Sequence, residues 1–341
     1  MPPGTRCACS LFLRWHRFAP NLPPDPRQYP APAVLRRAIS PSTSMTRWLT
    51  GNWKETDLSV TVFLCVVLAA LLHAIWNSLL KGSADKQATM LAIALGHVPV
   101  ALLMLLFAPP VEMAALPWIL AGVMLHLGYQ LFLTAGYRIG DLTLVYPIAR
   151  GSAPLIVTAF SIAVMGISFS KWELSGVCLI AIGLASLSLV RRADGMRNPR
   201  AVVMALGTGM FIAAYSLVDG IGARVATTAL GYWNWAAIGN AVLLSGWTLA
   251  AKPPVFAALT SNRSVILTGF VGGSASFLAY GLVIWAFTQA PIALVTALRE
   301  TSIVFALLIG VGILKERLDL AKVVSTIVTI SGAVLLRVSR S

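Results

Sequence analysis

The sequence predicts an all-α membrane protein of ten transmembrane helices arranged as two inverted five-helix repeats. Three observations predict it. The 341 residues are 57% hydrophobic and 11% charged, with mean hydropathy +0.81, whereas soluble domains carry about 25% charged residues. Ten apolar segments, each about 20 residues and so long enough to cross a bilayer, lie near 58–80, 87–108, 114–137, 142–166, 172–190, 201–220, 228–250, 264–288, 292–314 and 319–337. Two stretches match at an offset of 149 residues (299 minus 150): RGSAPLIVTAFSIAVMG from Arg150 and RETSIVFALLIGVGIL from Arg299. Gly183 and Gly332 share that offset in the helices that follow.

Residues 1–57 precede the first span. They hold eight of the 26 Lys and Arg and three of the 12 acids, and nine of the 19 prolines fall before residue 42. Such a segment cannot bury a core and is expected to be disordered. It reads as a basic cytoplasmic tail, an organelle transit peptide, or an extension upstream of a natural start at Met45. The domains that follow are a first repeat at 58–190, a polar link RRADGMRNPR at 191–200, and a second repeat at 201–337. An odd number of helices per repeat inverts the second copy, a common transporter plan with its substrate site near the midplane.

The ninth segment carries the strongest chemical signal. Arg299 and Glu300 sit inside its apolar run, about 10 Å from the helix start at 1.5 Å rise per residue. A charge at a helix centre costs roughly 2.5–3.5 kcal/mol on insertion scales and faces protein or water, not lipid. Lys315-Glu316-Arg317 ends the run as an interfacial stop. On the fourth segment Arg150 follows Tyr146 by one turn and precedes Pro154 by another. Pro147 and Pro154 each remove a backbone donor, and carbonyls freed that way can face a substrate. Arg150 and Arg299, in repeat-related positions, predict an electropositive midplane suited to a carboxylate, phosphate or phosphonate, which guanidinium binds bidentately. Glu300 reads two ways, as an ion-pair partner locking Arg150 or as the carrier of a coupling proton.

Polar stripes on other helices complete the predicted substrate path. His73, Trp76, Asn77 and Lys81 share one face of the first helix at spacings of three and four. The stripe reads as cavity lining or as interhelical glue with a snorkelling lysine. The third helix offers His126, Gln130 and Thr134, with Tyr129 and Tyr137 nearby. The sixth offers Thr208, Tyr215 and Asp219, the last near the end of its segment and a candidate partner of Arg299 or Arg150. The eighth offers Ser276 and Tyr280. His97, next to Pro99, reads as a packing residue. Gly136-x-x-x-Gly140 and Gly269-x-x-x-Gly273 permit close helix contact.

HAIWN at 73–77 and ALRETS at 297–302, followed by KERL at 315–318, resemble an EamA-type member of the drug/metabolite transporter superfamily over about residues 58–337. The resemblance implies cytoplasmic termini and a site built from helices 1, 3, 4, 6, 8 and 9. One position departs from the family pattern. Where Glu316 ends the ninth helix, the aligned position after the fourth is Ile167, and the nearest acid is Glu173. Charge does not fix the orientation, since the side holding both termini carries 12 Lys and Arg, eight of them in the tail, and the opposite side also carries 12.

The expected function is a secondary transporter of a small polar organic metabolite, with an anion as the favoured class, importing or exporting by alternating access. The expected location is the bacterial inner membrane. Its partners are the bilayer, the substrate and, on one reading of Glu300, a coupling proton; oligomeric state stays open. A lipid-carrier flippase of the same superfamily and a scaffold without transport are the alternatives, and a scaffold would pack solidly around Arg150 and Arg299. Net charge +14 comes with no nucleic-acid motif. No GxxxxGK[ST] loop is present, so ATP is not the direct drive, and no cofactor is expected. An intramembrane enzyme is disfavoured, because His16, His73, His97 and His126 lack HxxH or HxxxH spacing. Cys65 and Cys178 lie in apolar runs, and Cys7-x-Cys9 lacks a second ligand pair for zinc.

Overall fold

Caps written in the sequence start the helices. The Ser59 hydroxyl accepts from the Val62 amide at 3.2 Å, and the Asp85 carboxylate accepts from the Gln87 and Ala88 amides at 3.0 Å each. Each satisfies donors that a helix start leaves unpaired. Ser170 and Glu173 form a reciprocal capping box: the Ser170 amide donates to Glu173 Oε2 at 2.7 Å and the Glu173 amide to Ser170 Oγ at 3.2 Å. The acid nearest the position that departs from the family pattern is therefore engaged in starting a helix.

A computed structural model of the chain describes residues 58–139, 142–190, 199–313, 315 and 320–339. The tail at 1–57, most of the link at 191–200 and the Glu316-Arg317 stop lie outside the described residues. The helices are α1 Val60–Gly82, α2 Lys86–Leu105, α3 Leu116–Ile139, α4 Leu142–Ala163, α5 Lys171–Val190, α6 Pro199–Val225, α7 Ala229–Ala251, α8 Pro253–Ser261, α9 Arg263–Gln289, α10 Ile292–Arg299, α11 Ser302–Gly312 and α12 Leu320–Val338. A 3-10 turn, Met113–Ala115, leads into α3. The described residues are all-helical and belong to one compact unit, Trp53–Ser341.

Among the described residues, eight helical stretches are long and apolar enough to cross a membrane: α1, α2, the stretch leading into and through α3, α4, α6, α9, α10 with α11, and α12. α5 and α7, two of the ten predicted spans, fall outside that set. α7 devotes its length to Tyr232, Trp233, Asn234 and Asn240, all buried. The outer surface is apolar: Leu64, Leu106, Phe107, Leu267, Phe270 and Val334 are exposed, as lipid-facing side chains are and as a soluble surface is not.

The structure corrects three boundaries. α8 is a short helix within the link between the predicted segments 228–250 and 264–288. α6 continues to Val225, so Asp219 sits inside the helix and not near its end. The ninth predicted span is not one helix. Its backbone tightens at Glu300 and Thr301, where the Glu300 and Thr301 amides reach the Ala297 and Leu298 carbonyls three residues back, each at 3.0 Å. The apolar pattern runs unbroken across this joint and cannot reveal it. α4 stays helical through Pro147 and Pro154, as neighbouring helices allow in membranes.

Glycines set how closely the helices approach. α2 meets α9 where Gly96, Gly269 and Gly273 put backbone against backbone; a Cβ on Gly273 would stand 2.6 Å from the Gly96 Cα. This is the small-residue contact predicted for Gly269-x-x-x-Gly273; Gly140 of the other pair lies outside the described residues. α5 meets α12 through Gly176 against Gly332 and Gly183 against Ser325 and Thr329. Gly273→Leu is expected to destabilise the protein by about 1–3 kcal/mol or more through overpacking. Thermal unfolding in detergent reads this as a lowered Tm, and an unchanged Tm would mean that α2 and α9 are not in this contact.

Candidate functional site

The joint between α10 and α11 places two charges where helix ends favour them. Arg299 closes the last turn of α10, facing the negative end of that helix dipole, and Glu300 precedes α11 at its positive end. Both are buried, at 2% and 1% exposure. From α4, Arg150 Nε lies 2.7 Å from Glu300 Oε2, and its Nη2 donates to Ser302 Oγ at 3.3 Å. Of the two readings of Glu300, the geometry is that of an ion pair with Arg150.

Arg299 is placed differently. Its Nη2 is 3.7 Å from Glu300 Oε1, beyond hydrogen-bond reach. Among the described residues neither its Nε nor its Nη2 has a hydrogen-bond partner. Its guanidinium carbon stands 6.0 Å from the centre of the Tyr280 ring. Glu300 thus offsets Arg150 at close range, and with two arginines to one carboxylate a net positive charge is left on the side of Arg299.

Both arginines line one cavity of about 80 Å³, room for several waters at roughly 10–15 Å³ each. His73, Trp76, Gln130, Tyr215, Ser276 and Tyr280, predicted from the polar stripes, line it as well. So do Tyr129, His126, His97, Trp233 and Asn240. His73 stands edge-on to Trp76 at 5.0 Å. His73 Nε2 and Gln130 Oε1 have no hydrogen-bond partner among the described residues. His97, read as packing, lies in the wall.

Other predicted residues do not reach the cavity. The Asn77 amide donates to the His73 carbonyl at 2.8 Å, back onto its own helix. Tyr146 presents its ring to Arg150 at 5.6 Å and supports it from behind. Thr208 donates to the Met204 carbonyl and Thr134 to the Gln130 carbonyl, both within their own helices.

Asp219 is fully buried and does not pair with either arginine, contrary to expectation. Asp219 Oδ2 accepts from Tyr280 OH at 2.8 Å and contacts His126 Nε2 at 2.9 Å. Tyr232 OH, 3.1 Å from the Trp118 carbonyl, donates to Asp219 Oδ1 at 2.9 Å. Gly122 leaves the space for the carboxylate, since a Cβ there would collide with Oδ1. The His126 ring stacks on Tyr215 at 4.2 Å. The cluster was hidden in the sequence because its members are 93 and 61 residues apart.

Residues 199–338 match the model of the EamA-like transporter family. A crystal structure 17% identical in sequence superposes with a TM-score of 0.64, covering 82% of this chain and 97% of its own. At that identity the likeness is one of fold. No curated protein matches the sequence.

Proposed function

We propose, from the match of residues 199–338 to the EamA-like transporter family and from the cavity described above, that this multi-pass membrane protein is a transporter of the drug/metabolite superfamily and carries a small organic anion by alternating access. The observation that carries the reading is Arg299. A buried guanidinium with two unpartnered nitrogens on a cavity wall leaves a large desolvation penalty unmet. An anionic ligand in the cavity meets it. His73 Nε2 and Gln130 Oε1 offer further polar contacts, so a carboxylate or phosphonate bearing a hydroxyl or amino group fits best. The substrate path we assign is Arg299, Arg150, His73, Trp76, Gln130, Tyr215 and Tyr280. Glu300 and Tyr146 hold Arg150, and Asn77 acts within its own helix. The cavity between the two arginines counts against the scaffold reading.

Helix contacts support two inverted five-helix repeats. Shifting by 149 residues turns Gly176 into Ser325 and Gly183 into Gly332. The contacts of Gly183 with Ser325 and of Gly176 with Gly332 therefore interchange, as they would about a two-fold axis. Other pairings follow the same rule: α2 packs on α9 as α7 packs on α3, and α6 packs on α3 as α1 packs on α9. Halves related in this way can rock around a fixed central site. The test is proteoliposome flux of labelled amino acids, phosphonates and sugars. Saturable uptake or efflux of an acid, lost in Arg299→Ala, supports the reading; a sugar carried equally well by both proteins refutes it.

A further inference from the structure

Asp219 is a second deep charge for which the anion site has no use. Its hydrogen-bond partners are two tyrosine hydroxyls and one imidazole, none of them a fixed cation. A fully buried carboxylate without a counter-charge costs several kcal/mol. His126 is the one partner able to supply that charge, by taking up a proton. Its side chain is 12% exposed and lines the cavity, so water in the cavity can deliver the proton.

We propose that Asp219 and His126 form a proton-binding site and that the protein moves its anion together with a proton. The proposal rests on the transporter reading above. Nε2–H of neutral His126 donates to the Asp219 carboxylate. A hydronium ion in the cavity then gives one proton to Nδ1: its O–H bond breaks, an N–H bond forms, a neutral water is left, and the pair passes from a charge of −1 to zero. Release to water on the opposite side breaks the same bond and restores −1. On release an O–H bond forms on the accepting water as the N–H bond breaks, and no oxidant or reductant is involved. An anion on Arg299 and a proton on this pair cancel, so the loaded cavity carries the same net charge as the empty one.

Two features tie this site to transport. His126, on α3, lines the same cavity as Arg299 and meets Asp219 on α6, the helix packed against α3. Tyr280 links the two sites: its hydroxyl donates to Asp219 and its ring faces Arg299. The surrounding titratable and charged groups are His73 on α1, His97 on α2, Tyr129 on α3, Arg150 with Tyr146 on α4, Tyr215 on α6, Tyr232 on α7, Tyr280 on α9 and Arg299 with Glu300 on the α10–α11 joint. Of the cations, Arg150 has Glu300 as counter-charge, and Arg299 is the one an anion would neutralise.

A pH-jump measurement of charge displacement tests the site, using the full chain in liposomes on a solid support with no substrate present. The wild type is expected to give a transient current that Asp219→Asn and His126→Gln both lose. Currents of wild-type size in both variants overturn the proposal. If Asp219→Asn fails to fold, His126→Gln decides alone. L-glutamate and methylphosphonate then serve as probes for counterflow and for accumulation driven by a pH gradient. Asp219→Asn is expected to keep counterflow and lose accumulation; accumulation equal to wild type again overturns the proposal. Absence of wild-type counterflow with every probe refutes the transporter reading, while the pH-jump result still decides whether the pair binds a proton.

Discussion

Glu300→Ala is expected to destabilise the protein by about 3–5 kcal/mol, the range for removing one partner of a buried ion pair. The change leaves Arg150, 5% exposed, without its contact at 2.7 Å, and the Ser302 hydroxyl at 3.3 Å brings no counter-charge. It also removes the acid that suits the start of α11. Replacing both partners should cost far less: Arg150→Met with Glu300→Leu exchanges the pair for apolar side chains of similar size, a swap that is often neutral. Thermal unfolding of the three proteins in detergent measures the effect. Equal stability for the wild type and Glu300→Ala would mean that the pair is not closed inside the protein.

Arg299→Ala is expected to have the opposite profile, lost transport with intact or improved stability. Arg299 has two unpartnered nitrogens, so removing it breaks no hydrogen bond there and relieves a buried charge. Hydrogen bonds to charged groups contribute about 1.5–3 kcal/mol, so affinity for the anion should fall roughly 10–150-fold. Arg299→Lys should recover little of this, because a point charge does not reproduce a planar fork. Counterflow as a function of substrate concentration, measured beside thermal unfolding, separates the two effects. A large loss of stability in Arg299→Ala would make Arg299 a structural residue and remove the basis for the anion site.

Much of this arrangement was legible before any coordinates. Composition and segment length gave the helices because a bilayer imposes both. The offset between Arg150 and Arg299 identified the two side chains that meet at the cavity. Three things stayed hidden, each for a physical reason. The joint at Glu300 depends on backbone hydrogen bonds, which hydropathy does not report. Asp219 was placed near a helix end because Asp219 and Gly220 interrupt the apolar run, yet the helix continues for another turn to Val225. The His126–Asp219 contact joins α3 to α6 and has no local signature, so a histidine on a polar stripe could not be told from interhelical glue.

The central claim is that a water-accessible hollow lies between Arg150 and Arg299. Ser276 lines it without belonging to either charge cluster. In a chain whose natural cysteines at 7, 9, 65 and 178 are replaced by serine, Ser276→Cys is expected to react with a small charged methanethiosulfonate reagent from at least one side of the membrane. A transported anion should slow that reaction. A cysteine at 276 that stays unmodified from both sides, in a variant that still folds, would contradict the account.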